Sequence, residues 1–68
     1  MFQLIINGEK RDFNPPVTTL AELLSMLDIS LEGRIIELNG TILDSEKYDS
    51  VSLNHLDCIE IIQFMGGG

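Results

Sequence analysis

Basic residues are scarce in this 68-residue chain. Four Lys and Arg stand against eleven Asp and Glu, a formal net charge of −7. Affinity for nucleic-acid phosphates comes from Lys and Arg, as does attraction to an anionic membrane, so neither partner fits. Cysteine is nearly absent too: Cys58 stands alone. One cysteine closes no internal disulfide, whereas a secreted domain of this size is usually stapled by several. One Cys and one His, His55, cannot assemble a Cys₄ or Cys₂His₂ zinc centre. The first residues have no basic cluster, and their apolar run is short, so they read as neither a signal peptide nor a membrane span. A reducing, cytoplasmic setting is expected. Length excludes a large enzyme with its own substrate domain and cofactor cradle, because a chain this short buries only about 60% of its unfolded surface. What is plentiful is apolar residues, 44% of the chain, with a mean hydropathy of +0.19. That composition excludes disorder.

The patterning orders the elements. Phe2 to Asn7 alternates as a strand, Leu4 and Ile6 on one side, Gln3 and Ile5 on the other. Asn7-Gly8 predicts a two-residue type I′ hairpin into a second strand from Glu9 to Phe13, which Pro15-Pro16 ends. Thr18 to Leu27 predicts a helix. Thr19 and Glu22 form a capping box, and Leu20, Leu23, Leu24 and Leu27 make one apolar stripe. Arg34 to Asn39 predicts a third strand, Ile36 and Leu38 facing opposite to Ile35 and Glu37. Asn39-Gly40 turns it into a short apolar piece, Thr41 to Leu43; Asp44 to Asp49 reads as irregular or one helical turn. Val51 and Leu53 return to alternation, and a last strand is expected from Cys58 to Met65 with Ile59 and Ile61 in the core. The fold expected is therefore α+β: a mixed sheet of four to five strands packed on one main helix, the last strand returning to the centre. This is the β-grasp, ubiquitin-like arrangement. Residues 1–65 form the domain and 66–68 a flexible tail.

Catalytic chemistry finds little support in these residues. Cys58 and His55 are three apart, which on a strand places them on opposite faces, so a nucleophile–base dyad is unsupported. The carboxylates are scattered, and neither phosphate-cradling glycine pattern, G-x-x-x-x-G-K-[ST] or G-x-G-x-x-G, occurs. The informative feature is the ending, Gly66-Gly67-Gly68. Glycine has no side chain to collide with a narrow channel, and three extended residues reach about 10 Å. Such a tail presents one bare carboxylate, on Gly68, to another protein's active site, with Gly66 and Gly67 threading in; the plain alternative is a frayed end or a tag remnant. A second feature is the sheet face away from the helix. Ile5, Ile35, Ile62 and Phe64, with Cys58, fall on it, and apolar residues there predict a partner-binding patch. A register slip by one residue would move them all into the core.

Taken together, the Thr19-Leu20-Ala21-Glu22-Leu23-Leu24 helix start, Asn7-Gly8, Leu38-Asn39-Gly40 and the ending Asp57-x-Ile59-Glu60-Ile61-Ile62-x-Phe64-x-Gly66-Gly67-Gly68 resemble the ThiS family over the whole chain. These are the sulfur carriers of thiamine biosynthesis. One departure is visible: the family usually has Asp-Gly-Asp before the last strand, where this chain has His55-Leu56-Asp57. The resemblance implies that the Gly68 carboxylate is adenylated by a ThiF-like enzyme using MgATP. Sulfur from a cysteine-derived persulfide then replaces AMP, and the resulting thiocarboxylate serves thiazole synthase, ThiG. On this reading the chain is a carrier rather than an enzyme, holding no cofactor of its own. MoaD-like carriers for molybdopterin and ubiquitin-like modifiers share the logic. A plain β-grasp interaction module and a small enzyme using Cys58 are the readings from other classes.

Overall fold

The computed structural model describes residues 1–63. Its elements are β1 (Phe2–Ile6), β2 (Glu9–Phe13), α1 (Leu20–Met26), β3 (Arg34–Leu38), β4 (Thr41–Leu43), a 3₁₀ turn (Ser45–Lys47) and β5 (Cys58–Gln63). The strands form one sheet in the order β2-β1-β5-β3-β4. β5 lies at its centre, parallel to β1 and antiparallel to β3. This is the expected β-grasp topology, with five strands and one main helix.

Both Asn-Gly pairs make the turns their chemistry requires. Asn7 and Gly8 have φ of 50° and 84°, and Asn39 and Gly40 have 50° and 87°. Two successive positive φ values define the type I′ turn whose twist matches the strands. The first turn sets Ile6 opposite Glu9; the second sets Leu38 opposite Thr41.

The helix is shorter than its pattern, because its flanks serve as caps. Thr19 is the N-cap in extended backbone, and Leu27 is the C-cap. A seven-residue helix is too short to persist alone in water, so its unsatisfied amides need partners. Leu20 N–H donates to Val51 O at 3.0 Å and Ala21 N–H to Tyr48 O at 3.0 Å. Glu22 N–H donates to Thr19 Oγ1 at 3.1 Å. The capping box is displaced by one residue: the Glu22 carboxylate accepts from Thr18 N–H, at 2.7 Å, not from the cap residue itself. The segment after the 3₁₀ turn thus anchors the helix start, and Leu53 N–H closes the clamp on Thr18 O.

The core lies between helix and sheet. Leu4, Ile6, Leu20, Leu23, Leu24, Ile36, Leu53 and Ile59 are buried. Leu27, Leu38 and Ile61 are half-buried against them. The alternation in β1, β3 and β5 therefore has the expected phase. Tyr48 is also buried. Burial first, then the nearby Asp44 carboxylate, push its phenol above the ordinary tyrosine range, while a hydrogen bond with the Ile36 backbone opposes the shift. No helix among the described residues is long and apolar enough to cross a membrane.

Candidate functional site

β5 carries the chain toward its glycine ending, so what fixes β5 fixes where that ending starts. Its first residues are bonded on both flanks. Asn39 N–H donates to Cys58 O at 2.8 Å, and Cys58 N–H returns to Asn39 Oδ1 at 2.9 Å. Asp57 accepts from Asn39 Nδ2 at 3.0 Å and from Asn54 N–H at 2.7 Å. On the β1 side, Ile5 N–H donates to Asp57 O and Asn7 N–H to Ile59 O, both at 2.9 Å. Side chains extend this ladder at each end. Gln3 N–H donates to His55 Nδ1 at 3.0 Å, and Ile61 N–H donates to Asn7 Oδ1 at 2.7 Å. Each turn asparagine therefore does two things: it adopts positive φ and lends its amide oxygen to β5.

These bonds settle the role of His55. The ring leans on Phe2, centroids 6.4 Å apart. His55 is a ladder cap beside β1; Cys58, exposed, lies on the outer sheet face and is tied through its backbone to Asn39. Nothing in the bonding pattern joins the two as a dyad. No group of three His, Cys, Asp or Glu among the described residues could hold a metal ion.

The turn before β5 explains the departure at Leu56. Its φ is +69°, in the left-handed region that costs a side chain roughly 1–2 kcal/mol and glycine nothing. Leu56 N–H donates to Gln3 O, so the strained residue is locked into the sheet. This chain keeps the geometry that suits a glycine and places a 44% exposed leucine in it.

On the outer face, register brings some predicted residues together and separates others. Ile35 lies directly opposite Ile62 on β5, and Ile62 is 40% exposed. Ile5 pairs with Cys58. Cys58 and Ile62 are four residues apart, so about 13 Å separates the two apolar pairs. Between them Glu37 lies directly opposite Glu60, an arrangement of like charges that does not stabilise a sheet. Ile42 belongs to this face as well, although the sequence pattern marks it only as part of a short apolar piece. It pairs with Glu37, so it shares this face, and it is 62% exposed. The Asn39-Gly40 turn could have identified it, since a two-residue hairpin dictates that pairing. Phe64, Gly66, Gly67 and Gly68 lie outside the described residues.

The model of the ThiS family matches residues 4–68. This chain belongs to the ThiS family. The sulfur carrier protein ThiS of Bacillus subtilis (strain 168) is 34% identical over 65 residues, covering 96% of this chain and 98% of that protein. The crystal structure of a thiamine biosynthesis protein, ThiS, from Geobacter metallireducens superposes with a TM-score of 0.88 at 33% identity, covering 98% of this chain and all of that one. A thiazole synthase of Paramagnetospirillum magneticum (strain ATCC 700264 / AMB-1) is 38% identical over 66 residues. The chain spans only about a fifth, 20%, of that relative's length.

Proposed function

We propose that this ThiS-family chain carries sulfur on its own C-terminal carboxylate for thiazole formation in thiamine biosynthesis. The observation that carries the reading is that the family match runs through residue 68, so it includes Gly66-Gly67-Gly68. A carboxylate is a poor acyl electrophile. In the proposed sequence a Gly68 carboxylate oxygen attacks the α-phosphorus of MgATP on a ThiF-like enzyme, and pyrophosphate leaves. The terminal sulfur of a cysteine-derived persulfide then attacks the acyl carbon, and AMP leaves. Reduction of the remaining S–S bond by a thiol frees the thiocarboxylate. MgATP and the catalytic groups belong to the partners, and the chain supplies a handle and an arm. Its lone cysteine and the ATP requirement suit the cytoplasm.

Thiazole synthase is the proposed consumer of the sulfur. The relative from Paramagnetospirillum supports this, because there a segment similar to this chain lies within a longer protein named thiazole synthase. Ile5, Ile35, Ile62 and Phe64 are the proposed docking patch, with Ile42 added. Net charge of −7 speeds encounter with basic surfaces and makes association sensitive to salt. The test is mass spectrometry after incubation with MgATP, an activating enzyme and a sulfur source. One oxygen at Gly68 should be replaced by sulfur; an unchanged mass where Bacillus subtilis ThiS is charged would contradict the proposal.

A further inference from the structure

On the helix side of the sheet, a hollow of about 350 Å³ opens where β5 ends. Ile6, Leu27, Ile29 and Ile61 give it an apolar lining, and Gln63, the last described residue, borders it. Arg11 and Arg34 line it as well. They come from β2 and β3, which flank the β1–β5 pair on either side. Register puts both on this face but at different heights: Arg11 pairs with the buried Leu4, and Arg34 pairs with Gln63, two residues along from the buried Ile36, about 20 Å further along the strands.

The charge of this hollow opposes that of the chain. The chain has eleven acidic side chains and four Lys or Arg. Two of the four cations line the hollow, and among the described residues no carboxylate does. Among the described residues Arg11 has one ion pair, a 3.8 Å contact with Glu9, and Arg34 has none. One Arg34 nitrogen donates to Ser30 O. A guanidinium carries five N–H donors, so both retain capacity for a carboxylate.

Five residues separate Gln63 from the Gly68 carboxylate, a reach of at most about 17 Å. Any protein that receives that carboxylate in its active site must lie close to the hollow. We propose that Arg11 and Arg34, at opposite ends of this hollow beside the tail root, each take an acidic side chain on the rim of the activating enzyme. This rests on the carrier reading. Their contact would orient the handle so that the tail meets its channel, while the acidic remainder of the surface supplies long-range attraction.

The test is steady-state adenylation of the full chain by an activating enzyme, with Lys47→Gln, on the 3₁₀ turn, as the control of single charge removal. Arg11→Gln with Arg34→Gln should raise KM for the chain by about tenfold, kcat changing little, and flatten the dependence of KM on salt. Lys47→Gln should alter KM by less than about twofold. Thermal melts of each variant separate lost contact from lost fold. Wild type charged normally, with the double variant matching Lys47→Gln, overturns this proposal and leaves the carrier reading standing. Wild type neither bound nor charged overturns both. Inorganic phosphate titrated onto the chain alone, followed by the arginine side-chain resonances, is the second arm. Saturable shifts there, with the loss appearing in KM for ATP instead, would make the hollow a phosphate site and overturn the assignment to a partner carboxylate.

Discussion

Cys58, at the start of β5, is bonded through Asn39 on one flank and lies beside β1 on the other; Gln63, the last described residue, pairs among the described residues with Arg34 of β3 alone. The β1 ladder stops at Ile6, and the Asn7 side chain carries it one bond further, to Ile61. Beyond that bond the hollow begins. The contrast places the two-sided anchoring of β5 in its first half. Among the described residues β5 is held on both flanks at its start and on one flank at Gln63.

Breaking the held end should cost most. Asn39→Ala removes the bonds to Cys58 N–H and Asp57 and leaves a Cβ at φ 50°. We expect a loss of about 3 kcal/mol in denaturant unfolding. Asn7→Ala removes one bond, to Ile61 N–H, at the same φ. It should cost about 2 kcal/mol, with hydrogen exchange accelerated at Ile61 more than at Cys58. Equal acceleration at both would mean that β5 is not held in two separable places.

Leu56→Gly sharpens the comparison from the other side, by relieving strain at the held end. It should stabilise by about 1 kcal/mol, raising the melting temperature by about 4–8 °C. The smallest effect concerns Tyr48, under neither end. Its phenol is raised in the folded state, so folding favours the protonated form. That contribution is fully present below the ordinary tyrosine pKa of about 10 and is lost as pH rises through the higher folded value. Melting temperature should fall above about pH 10, and less steeply in Tyr48→Phe.

Local patterns in the sequence carried most of the fold. Ile35 and Ile36 are adjacent, yet alternation alone assigned them to opposite faces, and the structure agrees. The Asn-Gly pairs announced their turns because positive φ is a local requirement. The second use of those asparagines was not legible, since Asn7 meets Ile61 across 54 residues. Leu56 was visible as a departure, but only the backbone shows that its left-handed geometry persists. The outer patch is half legible: alternation puts Ile5, Ile35 and Ile62 on one face, Phe64 lies outside the described residues, and the Glu37–Glu60 pair dividing the patch depends on the β3–β5 register. The arginine hollow could not be read at all, because Arg11, Arg34 and Ile61 line one hollow only when β5 enters the centre of the sheet.

The central claim is that the chemistry belongs to the terminal carboxylate and not to any side chain. Its most direct test is the mass of the C-terminal peptide after the charging reaction, compared between Cys58→Ala and a chain lacking Gly67 and Gly68. The carrier account predicts sulfur in place of oxygen at Gly68 of Cys58→Ala and no such change in the shortened chain. Loss of charging in Cys58→Ala, with charging retained after the truncation, would contradict it.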